Sequence, residues 1–307
     1  MLKVIVTGSA GHFGSFFSNR MLQNNVKVIG IDNLLYGGDS MLSFISHPNF
    51  EFKNLDICNG LDTFDGRADY IIHFAALVGP VCDKKPEKAW QINYEATLKI
   101  CKWAEINGSK LIFLSTCSNY GIQEGLATEN SELNPLGVYA KTKVAAEKQI
   151  LANFRNSKIL RMATLAGLSP RPRFDTMLNQ WVYEGFSKGE IECYQPQANR
   201  PFTHLFDASE ALLMLMKNWE KATGECYNVV GFNTSKKDLA NRISIITGCE
   251  VTETKVLHDK RNYAVSADLI KKDLGFTPSC DIDFCIEEVL SALKMGIISP
   301  RSDHYNA

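Results

Sequence analysis

The chain is 307 residues long, enough for about two structural units of roughly 100–200 residues, or for one large α/β unit with an added lobe. Hydrophobic residues make up 45% and charged residues 22%, with 21 Gly and 10 Pro, which excludes a disordered or collagen-like chain. The 33 basic and 34 acidic residues leave a net charge of −1, and the basic ones come as scattered pairs such as Lys84-Lys85, so the chain carries no nucleic-acid footprint.

Short Val- and Ile-rich runs at residues 4–6, 26–31, 50–52, 70–74, 111–114 and 159–160 read as buried strands. Helical spacing fills the intervals, most clearly over residues 13–23, 89–106 and 138–154. Strand and helix therefore alternate through the first half, which predicts an α/β fold with a doubly wound, Rossmann-type parallel sheet. The strongest apolar stretch, residues 70–81, is interrupted by His73 and closes at Gly79-Pro80. It is shorter than the roughly 18 residues that a membrane span needs, so no membrane partner is expected. Met1 leads straight into MLKVIVTG with no secretory leader, and a cytoplasmic location is the expectation. The nine cysteines include no CxxC pair, and reduced thiols without a metal are expected. After Arg161 the texture changes to SPRPRFD and shorter helical stretches. The expected division is 1–162 for the first unit and mainly 163–307 for a smaller C-terminal lobe, with about 203–231 returning to the first unit.

Chemistry in such a sheet lies at the carboxyl ends of the strands. Directly after the first strand comes TGSAGHFG, where Gly8 permits a tight turn, Gly11 admits a pyrophosphate close to the backbone, and Gly14 lets the next helix pack on the sheet. His12 and Phe13 lie inside this turn and are assigned to the same site. The second strand ends at Asp32, eighteen residues beyond Gly14, where a carboxylate accepts hydrogen bonds from ribose hydroxyls and repels a 2′-phosphate. Asn33 follows rather than a basic residue, so NAD is expected over NADP. Asp56 and Ile57, after the third strand, fall beside the adenine.

VYAKTK places Tyr139 and Lys143 four residues apart on one helix face. A cation near the phenol lowers its pKa, so Tyr139 is the expected base for a hydroxyl proton while hydride leaves the same carbon. The fifth strand ends in STCSNYG, and Thr116 is chosen to hold the reacting oxygen and share the proton with Tyr139. Cys117 reads as a wall residue, and His73 and His204 as packed structural histidines.

Taken together, TGSAGHFG, Asp32, Asp56-Ile57, HFAA at residues 73–76, Asn93 in QINYEAT, STCSNYG, Tyr139 with Lys143 and the late HDKRNYAVSADLIKKDLGFTP resemble the extended short-chain dehydrogenase/reductases of the nucleotide-sugar epimerase/dehydratase group. The resemblance implies that Ala75, Ala76 and Leu77 line the dinucleotide and that Asn93 braces that site. It also implies a nucleoside-diphosphate sugar, UDP- or GDP-linked, with Arg200 and Arg261 on its diphosphate or sugar, and a homodimer. Val78, Cys117 and Ser118 are expected on the substrate's wall. Sugar 4,6-dehydratases of the group carry Asp-Glu after the catalytic Thr. Here Cys117-Ser118 stand there, so dehydration is not expected, nor is the decarboxylation that uses Glu at the second position. LVGPVCDKKPEKAWQINYEA and RMATLAGLSPRPRFDTMLNQWV resemble a subgroup that includes a GDP-heptose 4-dehydrogenase of capsule polysaccharide synthesis, and they add Arg171 and Arg173 as substrate-binding candidates. What remains is oxidation at the sugar 4-position, ending either in epimerisation or in release of a keto-sugar. A non-catalytic dinucleotide sensor, or a non-sugar reductase using NADPH, stands as the alternative.

Overall fold

A computed structural model of the chain describes residues 1–61, 64, 66–254, 259–300 and 304. His258, at the head of the late motif, lies outside the described residues. In chain order the elements are β1 (Lys3–Thr7), α1 (His12–Gln23), β2 (Lys27–Asp32), β3 (Phe50–Asn54), β4 (Tyr70–His73), α2 (Pro80–Lys84), α3 (Pro86–Trp90), α4 (Thr97–Asn107), β5 (Lys110–Thr116), β6 (Ile122–Ala127), α5 (Val138–Asn153), β7 (Ser157–Met162) and β8 (Thr164–Ala166). There follow α6 (Met177–Lys188), β9 (Glu190–Tyr194), β10 (Asn199–His204), α7 (Leu205–Lys217), β11 (Cys226–Val229), β12 (Phe232–Ser235), α8 (Lys236–Thr247), β13 (Glu250–Thr254), β14 (Asn262–Val265), α9 (Asp268–Leu274) and α10 (Ile282–Lys294).

Seven strands form one sheet in the order β11-β7-β5-β4-β1-β2-β3, and every pairing within it is parallel. Alternation of side chains along each strand supplies both covers. Val4 and Val6 of β1 join Phe13, Phe17 and Met21 of α1 and Leu205, Leu212 and Leu215 of α7 on one face. Ile5 between them joins Ile100, Trp103 and Ala104 of α4 and Ala146 and Ile150 of α5 on the other. A third apolar cluster lies among α6, α8 and α10, built on Trp181, Val182, Ile243, Val289 and Leu293. Strand order reverses between β1 and β4, the switch point at which a ligand crevice opens in such sheets.

The helical stretch read at 89–106 is not one helix. Gln91–Ala96 is a π-helical turn between α3 and α4, and it brings Asn93 inward. A turn of this kind inserts an extra residue and is found mostly at functional sites. Among the described residues, three small sheets also lie outside the alternating pattern: β12-β10-β8, β13-β9 and β14-β6.

Candidate active site

A cavity of about 990 Å³ runs along the carboxyl ends of the central strands, at the upper end of the roughly 300–1,000 Å³ usual for small-molecule pockets. Gly8, Gly11, His12, Phe13 and Gly14 line one end of it. Gly8 has φ +73°, and a Cβ there would meet the Ala75 backbone nitrogen at 2.8 Å. A Cβ on Gly14 would sit 1.9 Å from the Gly8 carbonyl oxygen. Both positions therefore admit backbone alone, and α1 begins hard against the strand end with its amides toward the cavity. That is a fitting cradle for a diphosphate. Asp32 Oδ2 accepts from the Ala10 amide at 3.0 Å and Oδ1 from the Leu34 amide at 2.8 Å, which fixes the carboxyl at the cavity edge. Burial pushes its pKa up, against those amides and the Arg171 charge. Asn33, Asp56, Ile57, Ala75, Ala76, Leu77 and Val78 line the same cavity, so these residues fit a dinucleotide laid from Asp32 across the glycine turn.

Asn93 does not reach the cavity. It is fully buried, its Oδ1 accepts from the Leu77 amide at 2.8 Å, and its Nδ2 donates to the Leu77 carbonyl at 2.9 Å and to Thr142 Oγ1 at 3.2 Å. Its contribution is to hold Leu77, rather than to touch a cofactor. Behind it, Thr97 Oγ1 donates to the Asn93 carbonyl and so accepts from His73 Nε2 at 2.9 Å. That leaves His73 Nδ1 to accept from Thr7 Oγ1 at 2.7 Å. The hydrogen-bond arithmetic makes His73 neutral, and burial, with the Lys143 charge beside it, pushes its pKa down to about 3.

Thr116, Tyr139 and Lys143 line the same cavity. Thr116 ends β5 with its Oγ1 accepting from the Ser118 amide at 3.1 Å, so its own proton is free for the neighbouring Tyr139 phenol. Tyr139 and Lys143 lie on α5, with the Lys143 Nζ 6.0 Å from the phenol ring centroid. Lys143 Nζ donates to the Leu114 carbonyl at 2.8 Å. The expected lowering of the phenol is absent from the protein alone. Burial pushes Tyr139 up to about 12, with Arg173 and the Thr116 hydrogen bond acting against it, and burial pulls Lys143 down to about 7. Thr142 Oγ1 donates to the Tyr139 carbonyl at 2.7 Å, so Asn93 links the Leu77 wall to the helix that carries the phenol.

Arg171, Arg173, Arg200 and Arg261 also line the cavity, together with Asp175 and Asp259. Arg261 grips Asp259 through Nε at 2.8 Å and Nη2 at 2.7 Å, and its Nη1 donates to Ser118 Oγ at 3.0 Å. Arg200 Nη2 reaches the same carboxylate at 3.0 Å. Burial would raise Asp259, but the two guanidiniums hold its carboxyl well below the usual range. Arg173 forks onto Asp175 at 2.8 and 2.9 Å. Arg171 departs from the group: its guanidinium lies 4.3 Å over the Tyr36 ring, on the Asp32 side. Cys117 also departs, since its thiol is buried and donates to the Arg161 carbonyl. Only Ser118 of that pair lines the cavity. Arg161 itself is buried on Glu147 at 2.8 Å.

Sequence reasoning passed over Asp259 and Tyr36. Asp259 stands two residues before Arg261, the same spacing that pairs Arg173 with Asp175, and that repeat was a usable signal. Tyr36 carried none. Among the described residues, no cluster of three or more His, Cys, Asp or Glu is placed to hold a metal, and no helix is long and apolar enough to cross a membrane.

Comparison with known proteins bears on this geometry. The chain is 26% identical over 305 residues to the low-salt glycan biosynthesis protein Agl12 of Haloferax volcanii, covering 93% of this chain and 96% of that protein. It is 25% identical over 301 residues to a dTDP-glucose 4,6-dehydratase of Streptomyces griseus, covering 91% and 90%. The solved structure of a UDP-glucuronic acid 4-epimerase from Bacillus cereus in complex with NAD has the same fold, with a TM-score of 0.85 at 24% identity over 96% of this chain and 97% of that one. The sequence profile described as the NAD dependent epimerase/dehydratase family matches residues 4–230, about three quarters of the length. The chain, with NAD as its cofactor, belongs to that family.

Proposed function

We propose that the protein oxidises the sugar of a nucleoside-diphosphate hexose or heptose at its 4-position, through a 4-keto species, as an epimerase or as a net dehydrogenase. The observation that supports this reading is that Thr116 bonds to the Tyr139 phenol in the cavity that the glycine turn and the arginines also line. NAD, when bound, supplies the hydride acceptor. Tyr139 takes the proton of the 4-hydroxyl, Thr116 holds that oxygen and shares the proton, and Lys143 supports the charge that develops on the phenol. Arg173, Arg200 and Arg261, held on Asp175 and Asp259, supply positive charge for a UDP- or GDP-linked diphosphate. The proposal includes a substrate lobe within 163–307 and a homodimer.

Dehydration is not proposed, although a dehydratase is among the relatives. That reaction needs an acid and a base beside Thr116, and the two following positions hold a thiol turned toward Arg161 and the hydroxyl of Ser118, which is bonded to Arg261.

The test is to incubate the purified protein with NAD and a panel of UDP- and GDP-linked hexoses and heptoses while following near-ultraviolet absorbance and product structure. Steady NADH with one sugar identifies a dehydrogenase, and a stereoisomer with no net NADH an epimerase. A 4-keto-6-deoxy product, or turnover undiminished in Tyr139→Phe, overturns the proposal. The Phe variant is expected to lose about 100- to 10,000-fold in turnover and to bind NADH as the parent does.

A further inference from the structure

We infer that the loop joining β8 to α6 is a clasp on the cofactor, and that Arg171, which sequence likeness assigns to the substrate, holds the dinucleotide in place through successive turnovers.

The loop is anchored at both ends. Asn179 on α6 takes the Gly167 amide at 3.2 Å and donates to the Gly167 and Arg173 carbonyls, each at 2.9 Å. Glu288 on α10 takes the Leu168 amide at 2.8 Å. From these anchors the loop reaches across the cavity to the glycine turn. Ser169 Oγ donates to the Arg171 carbonyl at 2.6 Å, so the His12 Nδ1 proton is shared between Ser169 Oγ at 2.8 Å and the Arg171 carbonyl at 2.9 Å. His12 is the first residue of α1, and residue 171 is thereby tied to the helix end where a diphosphate sits. The Arg171 side chain then continues toward the adenosine end. It is buried, stacks over Tyr36 at 4.3 Å, and is close enough for its charge to act on the Asp32 carboxyl. Arg173, two residues on, acts on Tyr139 as well as on His12 and Tyr36. What sets Arg171 apart is its seat, with its carbonyl on His12 and its guanidinium over Tyr36, whereas Arg173 is forked onto Asp175.

A dinucleotide lying between Asp32 and the glycine turn leaves only when residues 169–171 lift from His12 and Tyr36. A guanidinium stacked on an aromatic ring is pre-aligned for a diphosphate or ribose oxygen, so little ordering is lost when it binds.

The experiment loads the full-length protein with NADH, passes it through gel filtration, and follows release by fluorescence when excess NAD is added. The parent is expected to keep its nucleotide, while Arg171→Met and Tyr36→Leu release NADH about tenfold faster or more, and Tyr36→Phe, which keeps the ring, matches the parent. Affinity for GDP and UDP, measured by calorimetry, is expected to be unchanged in Arg171→Met. This last arm rests on the nucleotide-sugar reading, whereas the release measurement rests on NAD binding alone. Parent-like release in both Arg171→Met and Tyr36→Leu overturns the clasp. Parent-like release in Arg171→Met with weakened GDP or UDP binding overturns it too and returns Arg171 to the substrate. Should Arg171→Met not fold, Tyr36→Leu against Tyr36→Phe decides alone.

Discussion

Lys143 has only 2% of its surface exposed, and its ammonium donates to the Leu114 carbonyl with no carboxylate bonded to it among the described residues, so desolvation brings its pKa to about 7. An unfolded chain keeps the proton to about pH 10.4. Between those values the unfolded state binds the extra proton, and stability rises with pH by about 1.4 kcal/mol per pH unit. The contribution is complete above the unfolded value and is lost as pH falls toward 7. Tyr139, pushed up to about 12, acts the other way only above its ordinary value near 10, Lys236, brought down to about 8, adds to the rise, and buried thiols such as Cys82 and Cys101, pushed up by burial, oppose it above about pH 8.5, so the share of Lys143 is the difference between parent and variant. Removing the titrating group in Lys143→Met is expected to flatten the slope of stability against pH in cofactor-free protein and to reduce turnover. Urea unfolding at pH 7 and 9 checks it, and an unchanged slope in the variant refutes it.

At the scale of elements, Asn93 shows what periodicity can and cannot reveal. Apolar spacing marked residues 89–106 as helical, and they are. The register shift of the π turn at Gln91–Ala96 leaves no mark in that spacing, because one extra residue in a buried turn changes which atom meets Leu77 and not which residues are apolar. Asn93→Ala strands the Leu77 amide and carbonyl inside the protein, and a loss of about 2–4 kcal/mol in stability is expected, with weaker NADH binding. Thermal unfolding and an NADH titration check it, and parent-like values in both refute the bracing role. The glycine turn, Asp32 and the Tyr139–Lys143 pair were readable because each ties a residue type to a strand end or a helix face that the pattern had already located. By contrast β6 pairs with β14, and β9 with β13, across long stretches of chain and on partly exposed strands, so neither partner carried a buried apolar run to announce it. Cys117 was misdirected for a related reason: position in STCSNYG gives proximity to Thr116, while the direction of the thiol depends on the Arg161 carbonyl of the adjacent strand.

For the molecule as a whole, the carboxyl edge of the sheet is joined to its surroundings through two histidines that are neutral when folded. His73 couples β1, β4 and α4, and His12 couples α1 to the β8–α6 loop. Burial brings each pKa to about 3, helped by Arg173 at His12 and by Lys143 at His73. Unfolding restores a value near 6.5, so below that pH the unfolded chain binds two protons that the folded one refuses. Their contribution is complete above 6.5 and is lost as pH falls toward 3. Between pH 6.5 and 5, above the ordinary range of carboxylates, stability is expected to fall by up to about 2.7 kcal/mol per pH unit from the pair. His73→Gln keeps an acceptor for Thr7 and a donor for Thr97 but does not titrate, and it is expected to remove about half of that slope. Urea midpoints of cofactor-free protein at pH 6.5 and 5 measure it. A variant that loses stability with acid as steeply as the parent would show that His73 takes up its proton in the folded state, and that the Thr7–His73–Thr97 chain yields before the fold does.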